Sequence, residues 1–113
     1  MFPPQPENQA LVYFFRARHF AGGGISYNIK ENDKVIGAIA NGTYFFEIVD
    51  PGEHTFTAST EATVSRTINA EAGKTYYVEC SVTMGIFAGR PDMKIVTQEE
   101  SSAILPNLVY ATK

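Results

Sequence analysis

NGTYFFEIVDPGEHTFTAS, residues 41–59, is the stretch whose reading decides the architecture. Tyr44, Phe46 and Ile48 alternate with Phe45, Glu47 and Val49, and His54, Phe56 and Ala58 resume the alternation after Asp50-Pro51-Gly52-Glu53. A period of two is the mark of a strand, because successive side chains leave a strand on opposite faces. Asn41-Gly42 suits a type I′ hairpin turn, in which both central residues take positive φ. Pro51 presets φ at the second position of a turn, and Gly52 supplies the left-handed third position of a type II turn. The stretch therefore reads as strand, tight turn, strand, with hairpin pairing on either side.

The same alternation recurs outward along the chain. Leu11, Tyr13 and Phe15 face away from Val12, Phe14 and Arg16, while Ile25, Tyr27 and Ile29 alternate with Ser26, Asn28 and Lys30. Glu31-Asn32-Asp33 turns the chain into a strand over 34–40. Further strands are expected over 64–70, 74–83 and 92–97, the first two joined by Glu71-Ala72-Gly73. Seven or eight short strands at this spacing predict an all-β fold, a single antiparallel β-sandwich of the prealbumin or immunoglobulin-like kind. Thr97 followed three residues later by Glu100 is a capping-box pattern, so a short C-terminal helix is expected, stopped by Pro106, with 108–110 as a last strand or tail. Residues 1–9 read as an extended, Pro-rich tether and 10–113 as one domain. At 113 residues the chain can bury about two thirds of its unfolded surface, enough for one core.

Composition removes several classes of function. A formal charge of −3, with nine Lys and Arg spread along the chain, lacks the concentrated basic face that phosphate recognition needs, so no nucleic-acid partner is expected. No apolar run approaches the roughly 18 residues that span a bilayer. The one cysteine, Cys80, alternates in phase with Tyr76, Val78 and Val82 and reads as a small core thiol rather than a nucleophile. His19 and His54 have no partner at a metal-ligand spacing, the carboxylates Glu47, Asp50 and Glu53 flank a turn, and no serine sits in a nucleophile elbow. No cofactor, metal or catalytic residue is expected. Gly22-Gly23-Gly24 is followed by a strand rather than a helix N-terminus, so it reads as an interstrand loop, not a phosphate cradle.

Several of these motifs together resemble a known family. The opening strand LVYFFR (11–16), Val35-Ile36-Gly37, Gly42-Thr43-Tyr44 leading to Asp50-Pro51-Gly52-Glu53-His54, and AGKTYYV (72–78) resemble the bacterial family catalogued as domain of unknown function 2846. The resemblance covers roughly Leu11 to Val96. It implies a short prealbumin-like β-sandwich, usually behind a signal sequence and often a lipid-attachment cysteine, hence a place in the bacterial cell envelope (periplasmic, lipid-anchored in some members) rather than a chemistry. Membrane contact is then expected only through a lipid anchor upstream of Met1.

What remains points to surfaces. Arg16 and Arg18 share a strand face with Phe14 and Phe20, a mixed aromatic and guanidinium surface suited to sugars, cell-wall carboxylates or a protein. Phe14, Phe45, Val49 and Tyr77 are read as outward apolar residues, Tyr77 by contrast with its inward neighbour Tyr76. Arg66, between inward Val64 and Ile68, either is buried against Glu47, Glu61 or Glu79 or guards an edge strand. The loop from Thr83 to Pro91, with Met84, Gly85, Phe87 and Arg90, is the one long irregular segment able to close over a substrate, and it contains no general base. The expected function is a non-enzymatic envelope module contacting another envelope protein, or itself, through sheet surface or an edge strand. The alternative is a module for carbohydrate or cell-wall fragments. The candidate surface comprises Phe14, Arg16, Arg18, Phe45, Tyr77 and Arg90.

Overall fold

The structure is a computed structural model and describes residues 7–19, 23–83 and 89–111. Residues 1–6 of the expected tether, Phe20 of the proposed arginine face, Gly22 of the glycine triplet, and Met84, Gly85 and Phe87 of the irregular loop lie outside the described residues. Nine strands form among them: β1 Ala10–Phe15, β2 Tyr27–Glu31, β3 Lys34–Ile39, β4 Thr43–Val49, β5 Gly52–Ser59, β6 Thr63–Ala70, β7 Thr75–Thr83, β8 Arg90–Val96 and β9 Val109–Tyr110. A short helix, α1 Gln98–Ser102, and a 3₁₀ turn over Leu105–Asn107 separate β8 from β9. One sheet has the order β8-β7-β1-β4-β9 and the other β3-β2-β5-β6, so the chain is a β-sandwich. Within the five-stranded sheet two pairs, β1 with β7 and β4 with β9, run parallel, an addition to the expected antiparallel pattern.

The deciding stretch contributes strands to both sheets. β4 pairs with β1 and β9, whereas β5 pairs with β2 and β6. The two turns that read as hairpins are therefore corners, at which the chain steps from one sheet to the other. At the first corner Thr43 N–H donates to Ala40 O, and only Gly42 has positive φ, at 73°. The pair of positive φ values that defines a type I′ turn occurs instead at Asn32 and Asp33, 52° and 66°, in the true two-residue hairpin between β2 and β3. The physical reason is simple. Turn chemistry reverses the chain, but the reversal can close a spacing of about 4.8 Å to a paired strand or about 10 Å to a facing sheet.

Between the sheets lies a core of Ala10, Val12, Phe14, Tyr27, Ile29, Ile39, Phe45, Val49, Phe56, Ala58, Val78, Cys80 and Met93. Phe14 stacks on Phe45 and meets Phe56 edge-on, both at a centroid distance of 5.0 Å. Gly37 makes room for this cluster, since a Cβ there would stand 2.6 Å from the Phe45 ring. A bulge places it so: Ile29 pairs with Gly37 and Lys30 with Val35, leaving Ile36 as the extra residue. A second apolar cluster, of Leu11, Tyr13, Phe15, Tyr44, Val96 and Leu105, lies on the other face of the five-stranded sheet, beneath the C-terminal segment. Cys80 is fully buried, which pushes its thiol up to about 12 and makes it a packing residue. Arg66 lies on β6, an edge strand, and its guanidinium meets Asp92 of β8 at 3.3 Å, a carboxylate other than the three considered from sequence.

Candidate functional site: an aromatic sheet face and an end cleft

On the outer face of the five-stranded sheet, alternation stacks rings across four neighbouring strands. Tyr13 of β1 stands directly opposite Tyr77 of β7 and Phe46 of β4, because those residues are partners in register. Tyr13 and Tyr77 lie nearly parallel, with centroids 5.6 Å apart and planes 6° apart, and Phe46 meets Tyr13 edge-on at 6.0 Å. The row continues to β9 through the stacking of Phe46 on Tyr110 at 5.7 Å, with Tyr44 against Tyr110 at 5.5 Å. Its middle is covered and its far end is open: Tyr13 and Tyr44 are buried, Phe46 and Tyr77 half-buried, Tyr110 47% exposed, and Ile48, next on the same face of β4, 44% exposed.

The cover over the middle is α1 and the turn that follows. Thr97 begins the helix as expected, its hydroxyl accepting from Glu100 N–H and the Glu100 carboxylate accepting from Thr97 N–H, so two otherwise orphaned donors are satisfied reciprocally. Pro106 falls within the 3₁₀ turn and Leu105 packs down onto the rings. Between cover and sheet remains a slot of about 160 Å³ lined by Tyr13, Tyr77, Gln98, Ser101, Ser102, Leu105 and Pro106. Burial, then the neighbouring Tyr77 and Tyr44, pushes the Tyr13 phenol up to about 12, and burial also raises Tyr77. The slot's phenols are therefore neutral at physiological pH. It offers apolar ring surface together with hydroxyl and amide groups.

Of the six candidate surface residues, three, Phe14, Phe45 and Arg16, are interior. Phe14 and Phe45 are completely buried and stacked on each other, and Val49 is buried beside them. The outward apolar residues of β4 are the opposite set, Tyr44, Phe46 and Ile48. Glu47 shares its face with Phe45 and Val49 and lines the cleft where the inner face opens at the end of the sandwich. Arg16 is 97% withdrawn from solvent, 3% exposed, and its Nη1 donates to Ile25 O at 2.6 Å. β1 is a central strand buried on both sides, so neither of its faces is a surface. Tyr77 stands on the outer face, as read, with Tyr76 on the inner. Arg18 and Arg90 are exposed but lie apart on different elements, Arg18 over Gly42 and Arg90 opposite Thr83 at the start of β8.

A second concavity was not read from the sequence. At one end of the sandwich a cleft of about 550 Å³ is lined by Glu31, Asn32, Lys34, Ile36, Glu47, Ile48, Val49, Asp50 and His54. His54 Nδ1 lies 2.5 Å from Glu31 Oε2 and its Nε2 lies 2.6 Å from Asp50 O. The signal was the phase of His54, which alternates with Phe56 and Ala58 on the inward face, where an ionisable ring needs partners. Among the described residues no three His, Cys, Asp or Glu side chains converge to hold a metal, and no helix is long and apolar enough to cross a membrane.

Fold and site define a small β-sandwich domain that presents an aromatic sheet face and a polar end cleft. The chain belongs to the family described as protein of unknown function, DUF2846, which matches residues 6–91, as the opening resemblance implied. It is similar to an uncharacterised protein of Haemophilus influenzae, 28% identical over 109 residues, 96% of this chain and 64% of that one. The chain thus spans less than two thirds of the length of the curated relative it matches. No solved structure matches it.

Proposed function

We propose that the domain is a non-enzymatic contact module of the bacterial cell envelope, which holds another envelope protein, or a second copy of itself, on the outer face of the five-stranded sheet. The observation that carries the reading is the open end of the aromatic row: Tyr110 and Ile48 are exposed beside half-buried Phe46, at the rim of the sheet where β9 ends. Aromatic side chains at a sheet rim give large contact area at low cost in side-chain entropy, which is why they dominate protein interfaces. The envelope is supported by what the family resemblance implies about signal sequences and lipid attachment. A photo-crosslinking residue placed at Tyr110 in the native host tests the reading, with Thr57 on the opposite sheet as control. One discrete partner captured from Tyr110 and absent from Thr57 is expected; equal, diffuse capture from both would overturn it.

One observation favours a second reading, carbohydrate binding. The slot sets the Tyr13 and Tyr77 rings beside Gln98, Ser101 and Ser102, the mix of apolar face and hydrogen-bonding groups on which a sugar ring settles. Titration with soluble cell-wall oligosaccharides, followed by NMR shifts of Gln98 and Ser101, separates the two: shifts confined to the slot support the sugar, and none leaves the protein contact as the function.

A further inference from the structure

His54 stands where three elements meet. It projects from β5 toward Glu31 at the end of β2, and its far nitrogen faces the carbonyl of Asp50 in the corner between β4 and β5. A carbonyl oxygen only accepts, so Nε2 carries a proton. Nδ1 faces a carboxylate oxygen, and that contact also needs a proton between the two atoms, wherever along it the proton sits. The ring and Glu31 together therefore hold one proton more than a neutral imidazole beside an ionised carboxylate would. A neutral imidazole has a single N–H and can serve Glu31 or Asp50 O, not both.

We propose that His54 is a proton-operated clasp, which in its doubly bonded form ties the tip of the β2–β3 hairpin to the β4–β5 corner across the end cleft, and which lets the corner go when the second proton leaves. The clasp residues Glu31, Asp50 and His54 are none of those named for the contact face, although Ile48 borders both. The surroundings favour the closed form. Glu31 faces the ring from β2, Glu47 opens into the same cleft from β4, and Asp50 lines it from the corner; the one cation lining the cleft is Lys34 of β3, and Asn32 adds a neutral amide. Behind the ring Phe56 stacks at 6.3 Å, so the imidazole has an apolar back and an anionic front. Burial pulls the proton affinity of His54 down, but the hydrogen bonds to Glu31 and Asp50 and the two negative charges outweigh it, and the net shift is upward. Gln9 Nε2 donates to Asp50 Oδ1 at 3.1 Å, so the segment that leads into β1 rests on the same corner. The buried apolar lining of the cleft, Ile36 and Val49, is what a loosened corner would open to water.

The sign of the pH effect follows. The folded ring holds its proton more tightly than the unfolded one, so the stabilisation is complete below the unfolded value of about 6.5 and disappears as pH rises through the higher folded value. The test is imidazole ¹⁵N NMR on the full chain between about pH 5 and 9, with ¹³C-methyl spectra of Ile36 and Val49 recorded on the same samples. The expected result is a His54 midpoint above 6.5, methyl shifts sharing that midpoint, and a lower midpoint in E31Q. A His54 midpoint at or below 6.5, or methyl groups that stay fixed while the ring titrates, overturns the proposal. Denaturant melts give a second reading. H54Q, which cannot place donors at opposite ends of a ring, is expected to lose the decline in stability on the alkaline side of 6.5 that the parent shows; an unchanged decline in H54Q also overturns it.

Discussion

In the five-stranded sheet all six residues of β1 are buried, whereas in the four-stranded sheet β6 buries only Ile68 and Ala70 of its eight. The outer face of β5 and β6 is a ladder of hydroxyl pairs, Thr55 with Thr67, Thr57 with Ser65 and Ser59 with Thr63, bonded across the strands at 2.7 to 3.0 Å. That face is at ease in water and needs no cover. The outer face of the five-stranded sheet is aromatic and does need one, which the chain supplies from its own C-terminal segment, α1 and the 3₁₀ turn that follows. The cover stops short of Ile48 and Tyr110, and there the molecule has apolar surface to offer. The comparison teaches that the exposed apolar rim, the proposed contact face, is a by-product of how the two sheets are finished.

Four substitutions sharpen or break it, in order of expected size. Phe14→Ala removes the ring at the centre of the inter-sheet core and is expected to cost about 3–5 kcal/mol, read as a lower urea midpoint at unchanged slope. Leu105→Ala lifts the cover from Tyr13 and Tyr77 and is expected to cost about 2–4 kcal/mol; unlike Phe14→Ala, it should also raise binding of a hydrophobic dye to the folded protein. A loss at Leu105 comparable to that of an exposed residue would mean that the outer face needs no cover. Gly37→Ala drives a methyl into the Phe45 ring and is expected to cost about 1–3 kcal/mol, visible as a drop in thermal midpoint. Thr57→Ala on the hydroxyl ladder is expected to cost less than about 1 kcal/mol by the same melt. Should Thr57→Ala cost as much as Leu105→Ala, the contrast between the two faces would fail.

Strands and turns were legible because alternation and turn residues act locally. Thr43 to Val49 begins and ends where its residues say, and the Thr97–Glu100 box caps a real helix. Sheet membership was not legible, since nothing in Asn41-Gly42 or Asp50-Pro51-Gly52 distinguishes a step to a paired strand from a step to a facing sheet. The inside and outside of β4 were exchanged for a similar reason. Both of its faces are apolar apart from Glu47, and that one charge belongs to the mouth of a cleft rather than to the solvent face. A continuous apolar run such as ALVYFF (10–15) is itself the sign of a strand covered twice, and it placed Phe14 and Arg16 indoors. The Glu31–His54 contact joins positions 23 apart across two strands, and only the inward phase of His54 pointed to it.

The place of β1 has a consequence in time. The first of the described strands is the middle strand of its sheet, flanked by β4 on one side and, in parallel, by β7 on the other, whose paired residues begin at Thr75. During synthesis β1 leaves the ribosome before β4 and β7 and must wait, half-paired, until most of the domain has followed. Pairings so distant along the chain make folding slow, in the range of milliseconds to seconds. Until β7 arrives, an apolar strand with an open edge is held out to any neighbour, so the nascent chain is most exposed to misassembly over the interval in which it would meet a chaperone.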